Sequence, residues 1–344
     1  MKKIRFGTFN LFQFAEPPVA WFRKRNVYSA ANWIAKKNWI SERLSEMRAD
    51  VVGFQEVFSP AALKNLVAEN GFPYFSTADS PSTESEGSCV FNESIVALAS
   101  KYPITSAEPV KITETIIKLL PINADFRFSR IPIRSQIDIE GSGHITVYIS
   151  HLKSKRPMVT APEFQATATW DDKVRETLRA RSLGHVASML QRGAEAAILY
   201  QDITNTLSSN FAQPLLLMGD LNDDSRSIAV EALTNRNRIY EIAGVDYKDL
   251  PEAAKRLIHN NKLYNSFDLA PNPSGSSCKA THYHKGAGGV LDYIFVSNAI
   301  NERNKKRCGR IIAHKVYDSH LKDNVTNQHQ SDHAQVVVEI EVTD

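Results

Sequence analysis

The sequence feature that most constrains the fold is a short apolar run that ends in a glycine and a cluster of polar residues. Leu215–Met218 is followed at once by Gly219, and then by Asp220 and Asn222 with one leucine between them. A short run that is apolar at every position predicts a strand buried on both faces. Because strand side chains alternate, Asp220 and Asn222 point to the same side. They could bind a hard cation or orient a water molecule, but polar residues of this kind also make ordinary turns.

The composition is that of a folded globular protein. The chain has 344 residues, of which 42% are hydrophobic and 23% are charged. That length suffices for one large domain or two average ones. The sequence shows no internal repeat, no low-complexity linker and no shift in composition, so we expect a single catalytic domain over residues 1–344. The net charge of +3 permits a polyanionic substrate but does not require one.

The three cysteines, Cys89, Cys278 and Cys308, are widely spaced and lie outside any CxxC pattern. Their spacing supports neither a disulfide framework nor a zinc cluster, and reduced thiols are typical of a reducing compartment. Arg5 interrupts the first apolar stretch, so no signal peptide is expected. No apolar run is long enough for a membrane span. We therefore expect a cytoplasmic monomer without stable membrane association.

Hydrophobic periodicity predicts strands and helices in a mixed order. The predicted strands are 4–11, 51–57, 94–100, 130–139, 145–149, 215–219, 291–296 and 334–340. The predicted helices are 31–48, 60–70, 171–191, 194–208, 228–234 and 251–260. Some strands follow each other directly, whereas others are separated by a helix. This order favours an α/β sandwich of two sheets over a purely parallel sheet.

Eight polar residues share one property, which is a position at or beside the end of a predicted apolar strand. They are Asn10, Glu56, His151, Asp220, Asn222, Asp292, Asp332 and His333. Each has a structural explanation by itself, because acids at strand ends commonly make turns. Ends of neighbouring strands meet in space, however, so the set as a whole indicates one shared pocket. Carboxylate and amide oxygens suit Mg²⁺ or Mn²⁺ better than zinc, and such metal sites act chiefly on phosphates.

Six segments carry a resemblance to a known family, and they occur in that family's order along nearly the whole chain. They are Thr8–Leu11, Gly53–Val57, Ser150–Ser154, Met218–Asn222, Leu291–Phe295 and Ser331–His333. Together they resemble the endonuclease/exonuclease/phosphatase superfamily, which has the deoxyribonuclease I-like fold. The resemblance implies a four-layer αββα sandwich of two mixed, mainly antiparallel sheets flanked by helices. It also implies divalent-metal hydrolysis of phosphoesters at a site across the top of both sheets.

The same resemblance implies a role for each residue at the strand ends. The implied metal ligands, for Mg²⁺ or alternatively Mn²⁺, are Asn10, Glu56 and Asp332. The implied catalytic residues are His151, Asp220, Asn222, Asp292 and His333. Among these, Asp220 matches the residue that orients or deprotonates the attacking water, and His333 matches the histidine that pairs with Asp292. Glu93 is a weaker expectation, as a carboxylate near His151.

Residues 150–156 are similar to the His-x-Lys-Ser-Lys stretch of bacterial nuclease-like members of this superfamily. Lys153, Lys155 and, more weakly, Arg130 are then expected to contact substrate phosphates, although a solvated charged loop explains them equally well. The leading hypothesis is an Mg²⁺-dependent nuclease that cleaves DNA or RNA through in-line attack of an activated water. The alternatives are a phospholipid or sphingomyelin-type phosphodiesterase, a phosphomonoesterase, and a binding module without activity. An aromatic pair, Trp21 and Phe22, keeps the lipid alternative open.

Overall fold

Two six-stranded sheets form the centre of the computed structural model, which describes residues 1–83, 85, 87–120, 122, 125–159, 162–271, 278–322 and 329–342. Its strands are β1 (Lys2–Phe14), β2 (Ala20–Trp21), β3 (Val51–Val57), β4 (Tyr74–Ser76), β5 (Ser82–Thr83), β6 (Val90–Glu93), β7 (Ile95–Ser100), β8 (Ile104–Pro109), β9 (Ile133–Ile139), β10 (Gly143–His151), β11 (Leu215–Asp220), β12 (Glu241–Ile242), β13 (Val245–Asp246), β14 (Tyr264–Asn265), β15 (His282–His284), β16 (Ala287–Gly289), β17 (Asp292–Val296), β18 (Gly309–Tyr317) and β19 (Gln335–Val342). Its helices are α1 (Ala30–Met47), α2 (Pro60–Glu69), α3 (Glu114–Leu119), α4 (Trp170–Ser209), α5 (Ile228–Thr234), α6 (Glu252–Asn260) and α7 (Ser266–Leu269). Short 3₁₀ turns lie at Tyr247–Asp249, Asn298–Ile300 and Ser319–Lys322.

Each large sheet has one parallel pair of strands at its centre and antiparallel neighbours on both sides. In sheet I the strand order is β18-β19-β1-β3-β7-β4, and β1 runs parallel to β3. In sheet II the order is β14-β17-β11-β10-β9-β8, and β10 runs parallel to β11. The remaining pairs in both sheets are antiparallel. The prediction of two mixed, mainly antiparallel sheets is therefore confirmed.

This topology gathers polar strand ends at one edge of the sandwich. Parallel strands end side by side, so Asn10 lies opposite Gln55 in sheet I and His151 lies opposite Asp220 in sheet II. Because β17 is antiparallel to β11, its first residue, Asp292, also lies opposite Asp220. The amide of Asn10 joins the two sheets there, since its Nδ2 donates to Asp220 Oδ2 at 3.1 Å.

Three clusters of buried apolar residues separate the layers. The cluster between the sheets contains Ile4 from sheet I and Met218 from sheet II. A second cluster packs α1 and α2 on the outer face of sheet I, with Leu44 of α1 among its members. A third packs α4 and α5 on sheet II and includes Leu199 of α4. The sequence of layers is helices, sheet, sheet, helices, which confirms the expected αββα sandwich.

The two sheets approach each other closely at Gly53 of β3. A Cβ atom built on Gly53 would lie 2.5 Å from Cδ1 of Ile149 on β10, which is too close for any pair of carbon atoms. Glycine at this position therefore allows a bulky isoleucine on the facing sheet to fill the inter-sheet core.

Helix α4 is continuous over 40 residues, so the prediction of two helices that break near Gly193 was wrong. One glycine costs a helix only about 1 kcal/mol, which the packing of its C-terminal half offsets. A capping box between Thr169 and Asp172 begins the helix, and its first half carries exposed apolar residues such as Trp170, which is 79% exposed. In the described part of the chain, no helix combines the length and apolarity that crossing a bilayer requires.

Candidate active site

The backbone that delivers Asp220 to the edge of sheet II requires glycine. Gly219 has a φ of +150°, and a Cβ atom there would lie 1.8 Å from the carbonyl oxygen of Ser150. Without a side chain at this position, β10 and β11 pair closely through to His151 and Asp220. The strand thus ends with the Asp220 side chain buried at the sheet edge.

Three groups hold the carboxylate of Asp220 in place. Oδ1 accepts from the backbone N–H of Asn222 at 2.8 Å, in a turn where Asn222 has a φ of 53°. Oδ2 accepts from Asn10 Nδ2 at 3.1 Å and lies 3.4 Å from His151 Nε2. Asn222 Nδ2 donates to the carbonyl oxygen of Leu152 at 3.0 Å and anchors the turn to the end of β10. The carboxylate therefore has a fixed orientation toward the cleft between the sheets.

His333 lies between two buried carboxylates. Its Nδ1 is 2.8 Å from Asp292 Oδ2, and its Nε2 is 3.8 Å from Asp220 Oδ2. Burial alone would lower the pKa of His333, but Asp292 and Asp220 together raise it well above its usual range. The backbone is fixed as well, since Ser331 Oγ accepts from the His333 N–H and donates to the carbonyl oxygen of Asn10. We infer a positively charged imidazole held in one orientation.

The pKa of Asp220 is raised, whereas the pKa of His151 is lowered. Burial raises the pKa of Asp220 to about 7, which suits a general base at neutral pH. Burial, followed by the positive charge of Arg130, lowers the pKa of His151 well below its usual range, so this histidine is neutral. Within the described chain, His151 Nδ1 has no hydrogen-bond partner. Glu93, which was expected near it, is exposed and accepts instead from Ser82 Oγ.

On the opposite side of the cleft, Glu56 is the last residue but one of β3 and has a left-handed φ of 61°. Its Oε2 accepts from the backbone N–H of Gln13 at 2.9 Å. Burial and the neighbouring Asp332 carboxylate both raise the pKa of Glu56. Two carboxylates that repel each other in this way fit a divalent cation of the hard, oxygen-binding class.

Two half-buried cations lie beside His151, and a third does not. Arg130 and Lys153 are half-buried, and both lower the pKa of His151 by their charge. Lys155, in contrast, is paired with Asp223, with Nζ 2.8 Å from Oδ1. Of the three expected phosphate contacts, the structure therefore brings two to the site and ties the third to the turn after β11.

Sequence analysis missed a lysine on the Glu56 side of the cleft. Lys36 of α1 is fully buried, and its Nζ lies 5.3 Å from the ring centre of Tyr28 and 5.7 Å from that of Phe12. Burial lowers the pKa of Lys36 to about 7, against the raising effect of Glu56. Among the described residues its Nζ has no hydrogen-bond partner. Its position on the apolar face of a predicted helix was the available signal.

A third histidine, His282, was also missed. It begins β15, and its ring centre lies 4.9 Å from that of His333. Its Nε2 is 4.0 Å from Asp332 Oδ2, so it lies at the rim of the same cleft. The three-residue strand that carries it is too short to give a recognisable alternation of apolar and polar residues.

Comparisons with known proteins agree with this architecture. The sequence matches the family profile described as Endonuclease/Exonuclease/phosphatase family over residues 7–333. The structure is similar to the human Nocturnin catalytic domain with bound sulfate anion (TM-score 0.57, 16% identity, 99% of this chain and 95% of that one). It is also similar to an endonuclease/exonuclease/phosphatase from Bacteroides vulgatus (0.56, 13%, 99% and 100%) and to humanized D. rerio TDP2 with 14 mutations (0.55, 12%, 99% and 99%). Identities this low show a common fold. The curated protein sequences contain no match.

Proposed function

The chain belongs to the endonuclease/exonuclease/phosphatase family of phosphoric ester hydrolases, and on that premise we propose that it is a metal-dependent phosphodiesterase that cleaves DNA or RNA. One observation carries the proposal: Asp220 lies between a charged and a neutral histidine, across the cleft from the Glu56–Asp332 pair. A base and a cationic donor face a cation site, as phosphodiester hydrolysis requires. Residues 1–344 form a single catalytic domain in this proposal.

Asp220 takes the role of general base. Its carboxylate is fixed by three contacts and has a pKa of about 7, so it can orient a water molecule and accept its proton. His333 supplies positive charge beside it and can donate a hydrogen bond from Nε2 to the developing phosphoryl charge. Asp292 holds the orientation of the His333 ring through Nδ1 and stabilises its positive charge.

The metal-binding residues in this proposal are Glu56, Asp332 and Asn10, and the ion is Mg²⁺ or alternatively Mn²⁺. When bound, the ion supplies charge neutralisation at a phosphoryl oxygen and at the leaving oxygen. The protein contributes a prearranged pair of carboxylates, since Glu56 is held by the backbone of Gln13. The half-exposed Asp332 can adjust to the ion.

Cationic residues on both flanks of the cleft support a nucleic-acid substrate. Arg130 and Lys153 lie beside His151 on one flank. On the other flank, three exposed basic residues, 23–25, follow Trp21, whose ring packs 4.7 Å from that of Tyr28 at the Glu56 side. Positive charge on two sides of a phosphodiester site favours a long polyanion, with contacts to its backbone that are independent of sequence.

A second candidate is a phosphodiesterase that acts on a lipid head group. It is favoured by Phe22, which is 42% exposed at the tip of the same basic loop. An exposed aromatic ring next to basic residues is suited to the interface of an anionic bilayer.

A substrate panel distinguishes these functions. We would measure hydrolysis of bis-p-nitrophenyl phosphate, p-nitrophenyl phosphate, plasmid DNA, RNA and sphingomyelin vesicles with Mg²⁺, Mn²⁺ or EDTA. The proposal expects cleavage of the diester and of nucleic acid, and loss of both in EDTA. Cleavage of the monoester alone would contradict it, and cleavage of vesicles without nucleic acid would transfer the assignment to the lipid candidate. No turnover of any substrate would overturn the enzymatic function.

A further inference from the structure

The carboxylate of Asp332 lies between two imidazole rings at the rim of the cleft. Its Oδ1 is 4.0 Å from His333 Nε2, and its Oδ2 is 4.0 Å from His282 Nε2. Three potential donor atoms, one from each residue, lie within 4.8 Å of one another. His282 has no part in the hydrolytic mechanism proposed above, which leaves its position facing this carboxylate unexplained.

Both rings present Nε2 from a fixed backbone. His333 is bound through Nδ1 to Asp292, and a histidine that ligates a metal commonly has a carboxylate on its other ring nitrogen. His282 is fixed because its backbone pairs with that of His333, and the N–H of Ala334 donates to the carbonyl oxygen of Thr281 at 2.7 Å. A common scaffold therefore holds the two imidazoles at one spacing.

This donor set differs in kind from the all-oxygen set around Glu56. Two imidazole nitrogens and one carboxylate oxygen, with a fourth position open to solvent, are typical ligands of zinc. Donor atoms that share one zinc at about 2.0–2.1 Å lie roughly 3.3 Å apart. The three donor atoms here lie within 4.8 Å of one another, so the carboxylate must move toward both rings. Asp332 is 45% exposed and has the freedom to do so.

We propose that His282, Asp332 and His333 form a zinc site, and that zinc bound there inhibits the hydrolase. The inhibitory part rests on the proposed function. Zinc would displace the proton from Nε2 of His333, the donor that the substrate phosphate needs, and would share Asp332 with the Mg²⁺ ligands. Zinc and Mg²⁺ would thus compete for the Asp332 carboxylate within one cleft.

Calorimetric titration of Zn²⁺ into the metal-free protein tests the site without any substrate. Wild-type protein is expected to bind one zinc ion, and His282→Gln to bind it 10- to 100-fold more weakly. His284→Gln is the matched control, because this exposed histidine lies in the same hairpin outside the donor group. Equal thermal midpoints without zinc would confirm that the variants are folded. Equal zinc affinity in folded His282→Gln and wild type would overturn the site.

Mg²⁺-supported hydrolysis of bis-p-nitrophenyl phosphate tests the inhibition. Zinc should inhibit wild type and His284→Gln at the concentration at which calorimetry shows binding, whereas the remaining activity of His282→Gln should need at least tenfold more zinc. Binding without inhibition would overturn the regulatory part. Absence of hydrolysis with Mg²⁺ alone would contradict the proposed function, and the calorimetric result would still decide the zinc site.

Discussion

Asp220 and Asp292 lie directly opposite each other on paired strands, and the imidazole of His333 occupies the space between their carboxylates. Like charges opposite each other in a sheet are destabilising unless a cation separates them. The positive His333 provides that separation, so the three side chains form one electrostatic unit.

Residues that act as a unit should show non-additive losses. We expect Asp292→Asn and His333→Gln each to reduce kcat/KM strongly, and the double variant to be little worse than the poorer single variant. The measurement is a double-mutant cycle on bis-p-nitrophenyl phosphate. Additive losses would mean that the two residues act independently.

Removal of the base should abolish most activity without affecting the fold. Asp220→Asn is expected to lower kcat by roughly 10²–10⁴-fold, because general-base assistance has about that value. Asp224→Asn is the matched control, since this exposed aspartate lies in the turn that follows β11. Near-normal turnover by folded Asp220→Asn would remove the residue from the mechanism.

Arg130 and Lys155 should differ in their effect on binding of long nucleic acid. Arg130→Gln is expected to reduce the slope of log affinity against log salt by about 1, as the loss of one phosphate contact does. Lys155→Gln should change it less, because Lys155 is already paired with Asp223. Filter binding or fluorescence anisotropy at several salt concentrations measures both slopes, and equal slopes would contradict the distinction.

The buried ion pair between Arg192 and Asp223 should stabilise the junction of α4 with sheet II. Arg192 Nε is 2.8 Å from Asp223 Oδ2, and its Nη1 donates to the carbonyl oxygen of Lys153. Arg192→Met leaves Asp223 with only Lys155, so we expect a loss of roughly 3 kcal/mol in the free energy of unfolding. Urea denaturation measures this free energy of unfolding. The double variant Arg192→Met with Asp223→Asn should recover part of the lost stability. A loss below 1 kcal/mol would show that Lys155 suffices.

His314 of β18 should make folding sensitive to acid. Burial lowers its pKa to about 4, and its ring packs against Phe267 with centres 5.5 Å apart. Below pH 6.5, His314 binds a proton in the unfolded chain but not in the folded chain. The free energy of unfolding therefore falls as the pH drops toward 4, by on the order of 3 kcal/mol. His314→Gln should lose this part of the dependence, which unfolding measured at pH 7, 5.5 and 4 would reveal. Parallel curves for the two proteins would contradict it.

The strands of both parallel pairs were predictable because their residues are apolar on both faces and end in polar groups. β18 was not predicted, since it is an edge strand in which a register shift between Ile311 and Ala313 breaks the alternation of apolar and polar residues. Its position depends on pairing with β19, the next strand along the described chain. Edge strands of this kind are determined by tertiary contacts more than by local pattern.

The strand-end residues were identifiable because each lies at or beside the end of a predicted strand. The sheet topology then brings these strand ends together in space. His282 and Lys36 were missed for two different reasons. His282 reaches the cleft on a hairpin that is fixed by its contacts with the strand leading into β19 and with the start of β17. Lys36 lies on the apolar face of its helix, but the sequence does not show which groups tertiary packing brings around it. Neither position has a local signature that specifies its surroundings.

The close approach of Gly53 and Ile149 has a consequence for chemistry as well as for packing. Glu56 follows Gly53 by three residues in sheet I, and His151 follows Ile149 by two in sheet II. Glu56 and His151 thus lie on opposite sheets, which share one hydrophobic core. The spacing of the two sheets at the Gly53–Ile149 contact therefore sets the distance between Glu56 and His151, although neither Gly53 nor Ile149 belongs to the proposed site.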